Sequence, residues 1–192
     1  MIKRLPRIIL FSVLAILLIL EVNAQSKSAF AINYIKSHTA LFGLNSGDVA
    51  DIRIIDENTD DQTGISHVYL TQLYKGINIY NAVAGIHMNS NNEVVYASSN
   101  FQGNLDQKAI DAAPSLSANT SASKAFQHLN IPLPGNFAPV TSTHNKAYKP
   151  NQYRFAKDGI ALQDISAELM LLPSENSLKS IIRVEGFVYY RR

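Results

Sequence analysis

Between Ile65 and Phe101 the chain reads ISHVYLTQLYKGINIYNAVAGIHMNSNNEVVYASSNF, an alternating run broken only at Lys75-Gly76 and at Asn89 to Asn92. A period of two places every second side chain on one face of a strand, and short Gly- or Asn-rich breaks are what tight reversals need. Three antiparallel strands are therefore expected. In the first, Val68, Leu70 and Gln72 alternate with His67, Tyr69, Thr71 and Leu73; the second resumes at Ile77 and Ile79, and the third holds Val94, Val95 and Tyr96. Such a meander is built to pair and pack, and it carries few chemically reactive side chains.

Residues 1–24 read as an export leader. Lys3, Arg4 and Arg7 form a basic start, Ile8 to Leu20 is apolar except for Ser12, and Val22-Asn23-Ala24 has the small residues that precede a cleavage point, expected between Ala24 and Gln25. The apolar run is shorter than the ~20 residues a membrane-spanning helix needs. Taking Lys3, Arg4, Arg7 and Glu21 from the 17 basic and 15 acidic residues leaves 14 of each. A neutral chain argues against nucleic acid, whose recognition demands a dense basic face. Cysteine is absent, so stability has to come from burial and hydrogen bonding, and thiol chemistry is excluded.

Upstream of the meander, Ala31, Tyr34, Ile35, His38, Leu41 and Phe42 recur with helical spacing, and Gly43 is placed to stop the helix. On this face His38 reads as a packing residue. A strand is expected from Val49 to Ile55, followed by a polar turn at Asn58 to Gly64. Downstream, Gly103 to Pro114 has no period. Ala118, Ala122, Ala125, Phe126 and Leu129 then predict a second helix capped by Ser117, which Pro132 and Pro134 forbid from continuing. Ile131 to Pro150 reads as a loop, with strands at Gln152 to Ala156, Ile165 to Leu172 and Leu178 to Val184 and turns at Lys157-Asp158-Gly159 and Pro173 to Asn176. Helix followed by antiparallel strands occurs twice, which predicts an α+β chain of two small subdomains, each a helix packed on an antiparallel sheet.

Catalytic constellations are missing from this pattern. A zinc peptidase motif needs two histidines four residues apart with a glutamate after the first, but none of His38, His67, His87, His128 and His144 is followed by Glu and no two lie within four residues. No catalytic residue, metal ligand or cofactor-binding residue is assigned. No nucleophile elbow or glycine-rich phosphate cradle is present either. Asn45-Ser46-Gly47-Asp48 is turn chemistry, and Asp56-Glu57 and Asp60-Asp61 read as turn acids because no calcium-binding loop surrounds them. His67 and His87 are about equally far from the Lys75-Gly76 turn. A plain two-residue turn pairing Tyr74 with Ile77 would put them on opposite faces, and one bulge would bring them together; two such ligands alone rarely hold zinc. Tyr69, Tyr74, Tyr80 and Tyr96 suit either a binding face or sheet packing. Asn119-Thr120-Ser121 fits the glycosylation acceptor pattern, a weak match of three residues.

Ala31 to Leu44, AINYIKSHTALFGL, with Thr63-Gly64, Ile65 to Gly76, Ile77 to Ala84 and Glu93 to Phe101, resembles in order and spacing the FTP module at the front of fungalysin and thermolysin zymogens, over roughly residues 28–105. Residues 115–184 are more loosely similar to the second, PepSY-type subdomain of the fungalysin (M36) propeptide, with Ala167-Glu168-Leu169 to Pro173 and Leu178 to Val184 like its closing hairpin. The resemblance implies a cystatin-like FTP subdomain at 25–105, a linker at 106–114 and a PepSY-like subdomain at 115–192. It also implies a partner, the catalytic domain of a zinc metalloprotease in cis or in trans, which such a prosegment binds, blocks and helps to fold, with no membrane contact once the leader is removed. Gln72, Tyr74, Gly76, Ile77 and Tyr80, which carry the resemblance, are the candidate partner-binding residues. The family pattern stops after Val184, where an activation junction and protease are expected to follow, so a truncated zymogen, a separate inhibitor and a stand-alone extracellular binding module all remain readings of this chain.

Overall fold

The computed structural model describes residues 26–110, 115–133, 137–139, 151–157 and 161–186. The expected leader, its cleavage point at Ala24 and Gln25, Asp158-Gly159 and most of the loop from Ile131 to Pro150 lie outside them. Among the described residues no helix is long and apolar enough to cross a membrane.

Helix α1 (Lys27–Ser37) opens at Ser26, whose hydroxyl accepts the Ala29 N–H. It ends sooner than the apolar spacing predicts. The Ser37 hydroxyl turns back onto the carbonyls of Asn33 and Tyr34, and the chain continues as a 3-10 turn over Thr39–Phe42 before Gly43 reverses it at φ 66°. Tighter winding rotates the later residues off the core side. Leu41 is consequently 70% exposed, and His38, expected to pack inside, stacks on Tyr34 at the surface with its Nδ1 2.9 Å from the Tyr34 carbonyl.

The meander forms as its alternation predicts. Strands β1 (Ile52–Thr59), β2 (Ser66–Tyr74), β3 (Ile77–Met88) and β4 (Val94–Ser99) pair antiparallel in sequence order. Val49, read as the first residue of a strand, instead sits buried in the turn before β1. Ser66, Val68, Leu70 and Gln72 all point inward along β2. A short β5 (Ala109–Ile110) follows, inside the stretch read as a linker. Helix α2 (Ala118–His128), capped by Ser117, buries Ala118, Ala122 and Phe126, while Leu129 lies past its end and is 59% exposed. Strands β6 (Gln152–Phe155), β7 (Ile165–Pro173) and β8 (Ser177–Glu185) complete the described chain.

The architecture is α+β, but the sheet is mixed and continuous. Its order is β1-β2-β3-β7-β8-β5, with β4 beside β3 and β6 beside β7. Pairing within each half is antiparallel, as expected. The halves are joined by parallel pairs, Asn78 with Met170 and Ile79 with Leu171, and β5 runs parallel to β8. This is possible because β3 is twelve residues long: its far end pairs with β4, leaving its start free for β7.

Two apolar clusters lie against this sheet. One gathers Ala31 and Ile35 of α1 with Val68, Leu70, Ile79, Ile86, Leu171 and Leu178. The other gathers Ala122 and Phe126 of α2 with Phe155, Ile165 and Ala167. Ile165, Ala167 and Leu171 share one face of β7, so both helices cover the same side. The opposite face carries no helix among the described residues.

Candidate partner-binding face

The hairpin between β2 and β3 sets the geometry of this open face. Tyr74 pairs with Ile77 across Lys75 and Gly76, both at positive φ (51° and 77°), the conformation that a two-residue turn of right-twisted strands requires. The register then shifts. Leu73 is opposite Asn78 but Thr71 is opposite Val83, so β3 carries three extra residues, with Asn81 at φ 57° within the bulge. An odd shift exchanges the faces. His67 and His87 thereby become direct partners on the open face, with Nδ1 atoms 2.5 Å apart and ring centroids 4.8 Å apart. Tyr69 and Tyr96 flank the His87 ring at 5.9 and 5.6 Å. Gly85 leaves room for this packing, since a Cβ there would meet His87 Nε2 at 3.3 Å and Tyr69 at 3.5 Å.

Of the two facing Nδ1 atoms, one must offer a lone pair to the other's N–H, so the contact needs at least one neutral imidazole. Burial, and then the charge of His67, lower the His87 pKa below its usual 6.5. An unfolded chain then binds more protons than the folded one once pH drops below that ordinary value, so stability is complete above it and declines as the solution is acidified toward the folded pKa. We expect the urea midpoint to be flat above about pH 6.5 and to decline below it. In His87→Gln the part of the decline due to His87 should be missing; an unchanged slope in that variant would remove His87 from the account. Among the described residues no three His, Asp or Glu side chains converge on a common point, so a metal at this pair would have to complete its coordination from elsewhere. Asp60 is a turn acid, its Oδ1 accepting the Gln62 N–H at 2.8 Å, and this bond lowers its pKa.

The residues that carry the family resemblance divide between surface and interior. Gln72 is completely buried; its amide donates to the carbonyls of Asp48 (2.8 Å) and Gln102 (2.9 Å) and accepts the Gln102 N–H (2.7 Å). Every polar atom of that amide is thus engaged inside the fold. Tyr74 and Ile77 rest half-buried against the first cluster, and the Tyr74 hydroxyl reaches Asp106 at 3.3 Å. Gly76 lies exposed in the turn, donating its N–H to Asp51 at 3.2 Å. Tyr80 is half-buried in the bulge. Of the four tyrosines proposed to line a surface, Tyr96 is the freest, 62% exposed on β4.

Two constellations escaped the sequence reading. Asp48, read only as a turn residue, is 1% exposed and accepts three backbone N–H groups, from Asn45 (2.9 Å), Asn104 (3.0 Å) and Leu105 (2.8 Å). Together with Gln72 it clamps the loop after β4 onto the turn before β1. The second runs across the joint of the sheet: Arg53 donates to Asn78, Asn78 donates to Glu168, and Glu168 lies 3.8 Å from Arg183. The polar Asn78 between Ile77 and Ile79 is the only signal of it in the sequence.

Residues 50–101 match the family profile of the Fungalysin/Thermolysin Propeptide Motif, inside the stretch whose residues resemble that module. The chain is 27% identical over 142 residues to an extracellular metalloproteinase mep of Aspergillus niger (73% of this chain, 22% of that protein) and 32% identical over 139 residues to that of Aspergillus terreus (71% and 21%). It is 23% identical over 171 residues to extracellular metalloproteinase 10 of Coccidioides posadasii (80% and 26%). The chain thus spans about a quarter, or less, of the length of the relatives it matches. A buried glutamine at the end of β2, a two-residue turn and a β3 that reaches past it are the form taken in this chain by residues 50–101, the segment that matches the Fungalysin/Thermolysin Propeptide (FTP) Motif.

Proposed function

We propose that this chain is an exported, non-catalytic propeptide-type module that binds, inhibits and assists the folding of a fungalysin- or thermolysin-like zinc metalloprotease. The observation that carries this reading is the propeptide domain at residues 50–101, in a sheet whose helices both lie on one side. A sheet face that no helix covers among the described residues, with Tyr96 and other half-exposed aromatics on it, offers a partner apolar area and hydroxyls at low entropic cost. Residues 115–184 serve as a PepSY-like second lobe, docked on the first through β3 and β7. Export depends on residues 1–24, with Gln25 as the first residue of the mature chain.

The test uses the chain recovered from culture medium and a processed protease of the family. Peptidase activity should be titrated away by micromolar chain, and denatured protease should regain more activity when refolded in its presence. Full activity at a hundredfold excess of chain would refute inhibition, and equal refolding yields would refute chaperoning. The coverage of the relatives supports a second reading, in which these residues are the propeptide part of a longer precursor and act in cis. Linkage would raise the effective concentration of the module at its protease far above what a free copy achieves. Reading the adjoining DNA for an HExxH-coding segment separates the two.

A further inference from the structure

On the open face, where β3 and β7 join the halves, lies a groove of about 300 Å³ whose walls include Arg53, Asn78, Asn81, Glu168 and Arg183. Its charges are unevenly matched. Glu168 faces Arg183 at 3.8 Å, and Glu185 meets Arg183 again at 3.2 Å from the exposed rim. Arg53, by contrast, donates to the neutral Asn78, and among the described residues no carboxylate lies within ion-pair distance of it. The Arg183 Nε is buried and has no hydrogen-bond partner among those residues. Arg183 already faces two carboxylates, so it is Arg53, half-buried with only a neutral partner, that leaves the groove able to take one more anionic acceptor.

We propose that this groove is a carboxylate-binding site, and that its occupant is an acidic side chain of the partner protein docked on the open face. Planar guanidinium groups present paired donors that match a carboxylate, and such charge-assisted pairs are stronger than neutral hydrogen bonds. A free small anion would satisfy the arginines but leave Ile54 and Ile55, which line the same groove, 41% and 53% exposed. A protein covering the face buries both while delivering the carboxylate, which is why a macromolecular occupant fits better. A groove of this volume sits at the lower limit of small-molecule pockets, about 300 Å³, and is sized for a side chain. The identity of the occupant rests on the propeptide reading; the carboxylate site itself does not.

Two measurements separate them. In the first, the chain is titrated with acetate, and with acetamide as the neutral isostere, at constant ionic strength while the arginine Nε–H resonances are followed. Saturable shifts confined to Arg53 and Arg183 with acetate alone are expected; identical responses to both probes, or shifts spread over other arginines, overturn the site. In the second, Arg53→Gln/Arg183→Gln should bind the processed protease at least tenfold more weakly and with a shallower salt dependence than the native chain. Arg53→Lys/Arg183→Lys, which keeps the charge and loses the fork, should fall between them. Equal affinity of the double glutamine variant and the native chain overturns the docking role. If the native chain binds no such protease, the propeptide reading fails, and the acetate titration still decides the groove.

Discussion

Asp48→Ala should destabilise the fold by about 2–4 kcal/mol, because it strands three N–H donors at once, that of Leu105 buried and those of Asn45 and Asn104 partly buried, and a buried donor left without an acceptor costs roughly 1–3 kcal/mol. Asp48 Oδ2 accepts from Asn45 and Asn104, and Oδ1 accepts from Leu105. Gln72, the nearest buried amide, already spends both of its functions on the Asp48 carbonyl and the Gln102 backbone. The loop cannot relax toward the vacancy either, since Gly103 sits so close to the Gly43 carbonyl that a Cβ there would lie 2.9 Å from it. Asp48→Asn keeps the volume but turns one acceptor into a donor facing an N–H, so it should lie between alanine and the native residue. Urea denaturation of the three proteins measures the order. A loss below about 1 kcal/mol for alanine would mean that the clamp is satisfied without the carboxylate.

What could be read from residue order follows from what is local. Strand alternation, the Lys75-Gly76 reversal and the Ser117 cap depend on neighbours in sequence, and β2, the hairpin turn and α2 form where they are expected. The His67–His87 pairing was legible only as a condition, because the parity of a β ladder depends on a bulge, and residues 79–82 contain no glycine or proline to announce one. The parallel joint between β3 and β7 was not legible at all. It pairs Asn78 with Met170, ninety-two positions away, and nothing in either strand's period distinguishes a parallel neighbour from an antiparallel one. Asp48 was misread for a related reason: its partners Asn104 and Leu105 are backbone groups far along the chain, and backbone leaves no mark in residue identity. Gln72 is the opposite case. A glutamine among inward-facing apolar positions is a sign that something buried needs its amide; the resemblance singled it out as a partner-binding candidate, and in the fold its amide is engaged by Asp48 and Gln102.

The joint has an energetic consequence that a second substitution exposes. Phe155 is fully buried between Phe137, stacked on it at 4.8 Å, and the Ile165 and Ala167 face of β7. Phe155→Ala should cost about 3–5 kcal/mol, the lost transfer energy of the ring plus the cavity it leaves. The two halves share more than their two parallel residue pairs. Leu171 of β7 and Leu178 of β8, both in the second half, are buried in the cluster beneath α1, so melting the second half uncovers part of the first core. Burial of such a side chain contributes about 1.5–3 kcal/mol, which is enough to couple the two units. Unfolding of Phe155→Ala is therefore expected to remain one transition, with the same midpoint by tyrosine absorbance and by hydrogen exchange at Val68 and Leu70 in β2. Autonomous halves would instead give early loss of exchange protection at Ala167 and Leu171 while β2 stayed protected. Under that outcome the continuous sheet would be a weak contact between two folded lobes, and the groove at their joint would open and close with it.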